Sequence, residues 1–106
     1  MRPARALLAC AAIATGAFRA DAADHTIVQA ERSFRPAEIT IRAGDTLVFS
    51  NQDEFIHQVY VDSPSVSYDS EEQAPGETIS IAIPKTGDFS VRCHIHPKML
   101  LTVHAR

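Results

Sequence analysis

The chain has 106 residues, with ten lysines and arginines against thirteen aspartates and glutamates and a net charge of −3. That length holds one domain. The acidic balance argues against a nucleic-acid ligand and against an anionic membrane surface.

Met1 to Arg5 carry two arginines, Ala6 to Phe18 is an apolar run without charge, and Ala20-Asp21-Ala22-Ala23 offers small residues for cleavage. This is the layout of an export signal, and the run is too short to cross a bilayer. The reading is a signal peptide over residues 1–23 and one domain over 24–106, exported to the periplasm. A lipoprotein reading of Leu7-Leu8-Ala9-Cys10 is the alternative, but the apolar stretch ahead of Cys10 is far shorter than a signal core. Without the leader, seven basic and twelve acidic residues leave a charge of about −5. A domain this small often leans on a disulfide or a metal.

Beyond the leader, short alternating segments separated by turn residues dominate. A first strand is expected over Thr26 to Glu31. Ile39 and Ile41 alternate with Thr40 and Arg42 before the Gly44-Asp45 turn, and Thr46 to Ser50 forms the next strand. His57, Val59 and Val61 share one parity. Asp62 to Ala74 is irregular and holds a short edge strand or a loop. Ile79, Ile81 and Ile83 follow the Pro75-Gly76 turn, Phe89, Val91 and Cys93 follow Thr86-Gly87-Asp88, and Leu101 and Val103 close the chain. Regularly spaced strands with no helical period predict an all-β sandwich or barrel.

Side chains on a strand alternate between faces. Cys93 shares its parity with Phe89 and Val91, His57 with Val59 and Val61, and Met99 with Leu101 and Val103. All three are expected to point inward. His96 lies in the loop between the last two strands, where it would close a site from the rim. Singly, His57 reads as a core histidine, Met99 as core filler and Cys93 as an inert buried thiol. Together, two imidazoles, a thiolate and a thioether are the donor set of a blue-copper electron-transfer centre. Cys93 is the sole thiol once Cys10 leaves with the leader, so no internal disulfide can form, and metal ligation accounts for an unpaired thiol in an oxidising compartment. Phe55, Ile56, Ile95, Pro97 and Leu100 are expected to keep the site dry, Pro97 to stiffen the loop, and Asn51 to hydrogen-bond near the Cys93 segment. His94 should face away from the core, where a surface role competes with a proton-linked or secondary metal role. His25 and His104 read as ordinary surface residues. Glu71-Glu72 beside Asp69 reads as a solvated loop, with a docking patch as the sharper alternative.

The sequence resembles the cupredoxins, in particular the amicyanin and plastocyanin-like group. The resemblance rests on Phe34-x-Pro36, Ile39-x-Ile41-x-x-Gly44-Asp45-Thr46-x-x-x-Phe49-x-Asn51, His57, Pro75-Gly76, Gly87 and the Cys93-x-x-His96-x-x-Met99 loop. It implies a Greek-key β-sandwich or barrel of about seven or eight strands binding one type 1 copper ion. His57, Cys93 and His96 would be the equatorial ligands and Met99 the axial one. An electron carrier rather than an enzyme is expected, because no spare histidine cluster exists for a further copper centre with an open position, and a small acidic carrier is expected to act as a monomer. Its redox donor and acceptor would dock transiently at an apolar patch around the partly exposed His96. Gln58 stands where the family commonly has Asn, and His94-Ile95 where amicyanin-like loops have Thr-Pro. Copper trafficking or resistance is the competing function. A structural zinc or metal-free binding module ranks below it, and zinc would not need Met99.

Overall fold

The computed structural model describes residues 21–106, so the expected leader lies outside the described residues except at its last three positions. Nine strands and no helix occur among the described residues. They are β1 (Asp24–Ala30), β2 (Ser33–Arg35), β3 (Glu38–Ile41), β4 (Thr46–Asn51), β5 (Val59–Asp62), β6 (Ser67–Asp69), β7 (Thr78–Ala82), β8 (Gly87–Cys93) and β9 (Leu100–Ala105). Two mixed sheets result, ordered β2-β1-β4-β7 and β3-β9-β8-β5-β6.

The alternation read from the sequence is the alternation seen. Leu47, Phe49 and Asn51 on β4 are buried while their neighbours are half-buried, and Phe89, Val91 and Cys93 form the inward row of β8. Two of the nine strands, β2 and β6, have only three residues, which takes the count past the expected seven or eight. The irregular stretch from Asp62 to Ala74 holds the edge strand β6. The first strand starts earlier than expected, at Asp24, because it pairs in parallel with β4 from Asp24↔Thr46 to Gln29↔Asn51. It ends at Ala30 because Glu31 and Arg32 adopt φ of 51° and 55° and turn the chain into β2.

Between the sheets, Ile27, Leu47 and Phe49 join Val59, Val91, Leu101 and Val103, all fully buried. Burying each such side chain contributes about 1.5–3 kcal/mol. Phe34 covers Phe49 edge-on at 5.7 Å. Toward one pole the inward rows turn polar. Gln29 follows Ile27 and Asn51 follows Phe49, and both are buried with Gln73. The chain changes sheets at this pole twice, between β4 and β5 and between β6 and β7. The two crossovers pair through His57 N–H to Gln73 O at 3.0 Å and Gln73 N–H to His57 O at 2.7 Å.

Candidate metal centre

Cys93 ends β8, the central strand of the five-stranded sheet, and lies opposite Val59 on β5. His57 sits two residues ahead of β5 on the first crossover. His96 lies in the turn after β8, where Met99 N–H donates to His96 O at 2.9 Å. Three donor atoms meet in the interior. Cys93 Sγ is 3.8 Å from His57 Nδ1 and 3.9 Å from His96 Nδ1, and the two nitrogens are 3.2 Å apart. A point roughly 2.1 Å from all three lies inside this triangle, close to metal–nitrogen and slightly short of metal–sulfur bond lengths. The residues present therefore fit a small trigonal metal centre. Met99 is buried one residue ahead of β9.

His57 is held on both sides. The Gln73 bridge fixes its backbone, and its ring Nε2 lies 2.8 Å from Asp53 Oδ2. A proton at Nε2, donated to that carboxylate, leaves the Nδ1 lone pair free for a metal. Asp53 also accepts the backbone N–H of Glu31 at 2.6 Å and of Arg32 at 2.9 Å, so the β1–β2 turn anchors it. Burial opposes its ionisation. The Arg32 amide, the His57 ring and the Glu31 amide outweigh burial and hold Asp53 below the ordinary carboxylate range. His96 is pushed below the usual imidazole value by burial first, then by the charges of His57 and Arg32. This favours the neutral ring that coordination needs. Cys93 Sγ accepts the Gln58 N–H at 3.4 Å.

Asp53 and Gln73 were not singled out from the sequence. Asp53 precedes His57 by four residues, and that spacing is the one signal that could have found it. Gln73 is sixteen residues away and carries no local signal. Its side chain donates to Phe49 O at 3.1 Å and Glu77 O at 2.9 Å, and accepts from Gln29 Nε2 at 2.9 Å.

Three expectations are corrected. Asn51 does not reach the Cys93 segment. Its amide donates to Phe55 O and Gln73 O, at 2.9 and 3.2 Å, and so ties the two crossovers together. Phe55, Ile56, Ile95 and Leu100 do not seal the interior. They are 38–44% exposed and form an apolar rim around His96, whose ring meets Phe55 edge-on at 5.9 Å. Val59, Val91, Met99 and Leu101 are among the apolar side chains fully buried in the interior. His25 and His104 are not idle, because His25 Nε2 lies 2.8 Å from Asp45 in the turn before β4 and His104 on β9 bridges Glu38 on β3 and Asp88 on β8. His94 faces away from the core as parity requires, stacked on Tyr60 at 3.6 Å and 3.3 Å from Asp69.

Arg32 lies 4.2 Å over the Phe55 ring. With Glu31, Ile95, His96, Pro97 and Lys98 it lines a shallow groove of about 440 Å³ at the rim.

Comparison with known proteins agrees with this geometry. The chloroplastic plastocyanin of Fritillaria agrestis is 35% identical over 75 residues, 60% of this chain and 45% of that protein. The methylamine utilization protein MauL of Methylophilus methylotrophus is 28% identical over 98 residues, 86% of this chain and 56% of that protein. The chain thus spans about half the length of these curated relatives. In fold it matches amicyanin from Paracoccus versutus, at 22% identity and a TM-score of 0.71 over 84% of this chain and 85% of that one. It also matches a copper-containing nitrite reductase from Thermus scotoductus, at 25% identity and a TM-score of 0.73, over 89% of this chain but 25% of that one. The family model described as a cupredoxin-like domain aligns with residues 3–103. A two-sheet sandwich with a thiol and two imidazoles converging at one pole, matched along nearly its whole length, belongs to the copper-binding cupredoxin-like family.

Proposed function

We propose that this protein is an exported, periplasmic carrier of single electrons. His57, Cys93 and His96 would hold one copper ion, with the buried Met99 as a fourth, weaker sulfur ligand. The observation that carries the reading is the buried triangle of Cys93 Sγ, His57 Nδ1 and His96 Nδ1, set in a scaffold that fixes each vertex. Bound copper supplies the Cu(II)/Cu(I) couple, for which thiolate and imidazole together serve both oxidation states. The chain supplies the rest. Asp53 and Gln73 keep the His57 ring in one orientation, so that little has to move when the charge at the site changes. Val59, Val91, Met99 and Leu101 keep the interior dry. His96 is half-exposed among Phe55, Ile56, Ile95 and Leu100, which gives the electron a route to a partner pressed against the apolar rim. The encounter is brief and the carrier works as a monomer. Plastocyanin and amicyanin, which this chain is similar to, are carriers, whereas the nitrite reductase match covers a quarter of that enzyme. We therefore read the chain as having no catalytic reaction of its own.

The test is addition of Cu(II) to the purified protein with visible and paramagnetic spectra. An intense sulfur-to-copper absorption that vanishes reversibly on reduction is expected. Cys93→Ser should abolish it, and Met99→Ala should keep the colour and shift the potential. A coloured Cys93→Ser protein would refute the ligand assignment. Rapid exchange of copper with a partner, without electron-transfer kinetics, would favour trafficking.

A further inference from the structure

At the pole opposite the donor triangle, the chain enters the fold through Ala23. Its carbonyl accepts the Thr46 N–H at 3.0 Å, and strand pairing with β4 begins at Asp24. Asp21, Ala22 and Ala23 are exposed. Ala22–Ala23 is therefore the peptide bond that joins the exposed end to the first residue held by β4. Alanines at 20 and 22 supply the small residues that a leader-removing endopeptidase reads on that side of its cut.

The Ala23 nitrogen lies 3.0 Å from Asp45 Oδ1. Asp45 is only 5% exposed. Its other oxygen accepts the Arg42 N–H at 3.0 Å and lies 2.8 Å from His25 Nε2. The Ala23 and Arg42 amides and the His25 ring hold it down at about 2, so it is an anion at neutral pH. Among the described residues no lysine or arginine ion-pairs with it. Its hydrogen bonds outweigh the cost of burial, and a cation placed at one of those donors would strengthen the contact further.

We propose that the chain is cut between Ala22 and Ala23, and that the new Ala23 α-ammonium ion-pairs with Asp45. The inference rests on the export reading of residues 1–23. Hydrolysis adds the hydroxyl of water to the Ala22 carbonyl carbon and its proton to the Ala23 nitrogen. That nitrogen takes a further proton from solvent. An atom already donating to Asp45 as a neutral amide then donates as a cation, in a hydrogen bond about twice as strong. A cut one residue later would delete this nitrogen and the carbonyl that Thr46 uses. A cut one residue earlier would leave Ala23 an amide and place the charge on exposed Ala22. Four charged or titratable side chains share the surrounding groove: Asp21, His25, Arg42 and Arg106. Asp21 leaves with the leader, His25 shares the carboxylate, Arg106 is already engaged by Asp88, and exposed Arg42 opposes the ammonium weakly.

The full 106-residue chain is expressed in a bacterium with export machinery. Protein recovered from the periplasm is then weighed and sequenced from its N-terminus. A start at Ala23 is expected. A start at Ala22, Asp24 or elsewhere overturns this inference and leaves the export reading standing, whereas a full-length chain kept in the cytoplasm overturns both. The Ala23 amine of the recovered protein should titrate about one unit above the ordinary α-amino range of about 7.7–8.0. It should accordingly be acylated about tenfold more slowly at pH 7 than in Asp45→Asn. An amine with an ordinary value overturns the ion pair. That titration needs only the wild-type protein, so it decides the matter even if Asp45→Asn fails to fold.

Discussion

Asp53 does for the donor triangle what no ligand can do for itself. It holds the Nε2 side of His57 at 2.8 Å while two turn amides hold Asp53. Partners of this kind typically contribute 10–100-fold to metal affinity. Asp53→Ala should therefore weaken copper binding by about 10–100-fold in a chelator competition, and an unchanged affinity would show that the Gln73 bridge alone fixes the ring. Away from the site, His104 joins three strands. Nε2 lies 2.7 Å from Glu38 on β3 and Nδ1 lies 2.8 Å from Asp88 on β8. The Glu38 and Asp88 carboxylates raise it above the ordinary 6.5. A raised folded-state value gives stability that is full below about 6.5 and is lost as pH climbs through the folded value. Asp45 works in the opposite sense. Lowered from 3.8 to about 2, it contributes above 3.8, and the contribution disappears as pH falls toward 2. Urea midpoints followed across pH should decline on both flanks. His104→Gln should flatten the alkaline flank, and Asp45→Asn the acid flank.

The β1–β2 hairpin is held open to the site by an unfavourable turn. Glu31 and Arg32 both have positive φ, which costs an ordinary residue roughly 1–2 kcal/mol, while Asn-Gly occupies such a turn cheaply. Asp53 uses only the backbone N–H groups there. Replacing the pair by Glu31→Asn with Arg32→Gly should stabilise the fold by about 1 kcal/mol in urea denaturation and leave copper affinity unchanged. A drop in affinity would mean that the Arg32 side chain, not the turn backbone, supports the site. The segment after β8 is economical in a different way. The turn from Cys93 to Met99 brings a thiol and an imidazole to one pole and is closed by the Met99 to His96 backbone bond.

At the scale of the whole molecule, the donor triangle sits at the pole where the chain crosses between the two sheets. His57 rides the crossover out of the four-stranded sheet, while Cys93 belongs to the five-stranded sheet. A ligand that binds only the folded state stabilises it by mass action, about 2.7 kcal/mol at one hundred times its dissociation constant. Copper should thus raise the thermal midpoint of the wild type by several degrees in calorimetry, and Cys93→Ser should blunt the rise. An equal rise in both would place the metal elsewhere. The strands, their inward faces and the grouping of His57, Cys93 and His96 were legible beforehand, because a period of two and a three-residue spacing are properties a segment carries along its own length. Asn51 was given the wrong partner, since its hydrogen bonds run to Phe55 and Gln73, which the two crossovers bring near it. Asp53 and Gln73 escaped notice because their roles come from the turn at Glu31–Arg32 and from Phe49 and Glu77, groups brought near by the crossovers. The alternation of residues by itself determined an all-β chain and the inward face of each strand. Only the tertiary structure decided which polar groups brace His57 and which apolar ones stay exposed, because pairing between distant strands depends on how the whole core closes.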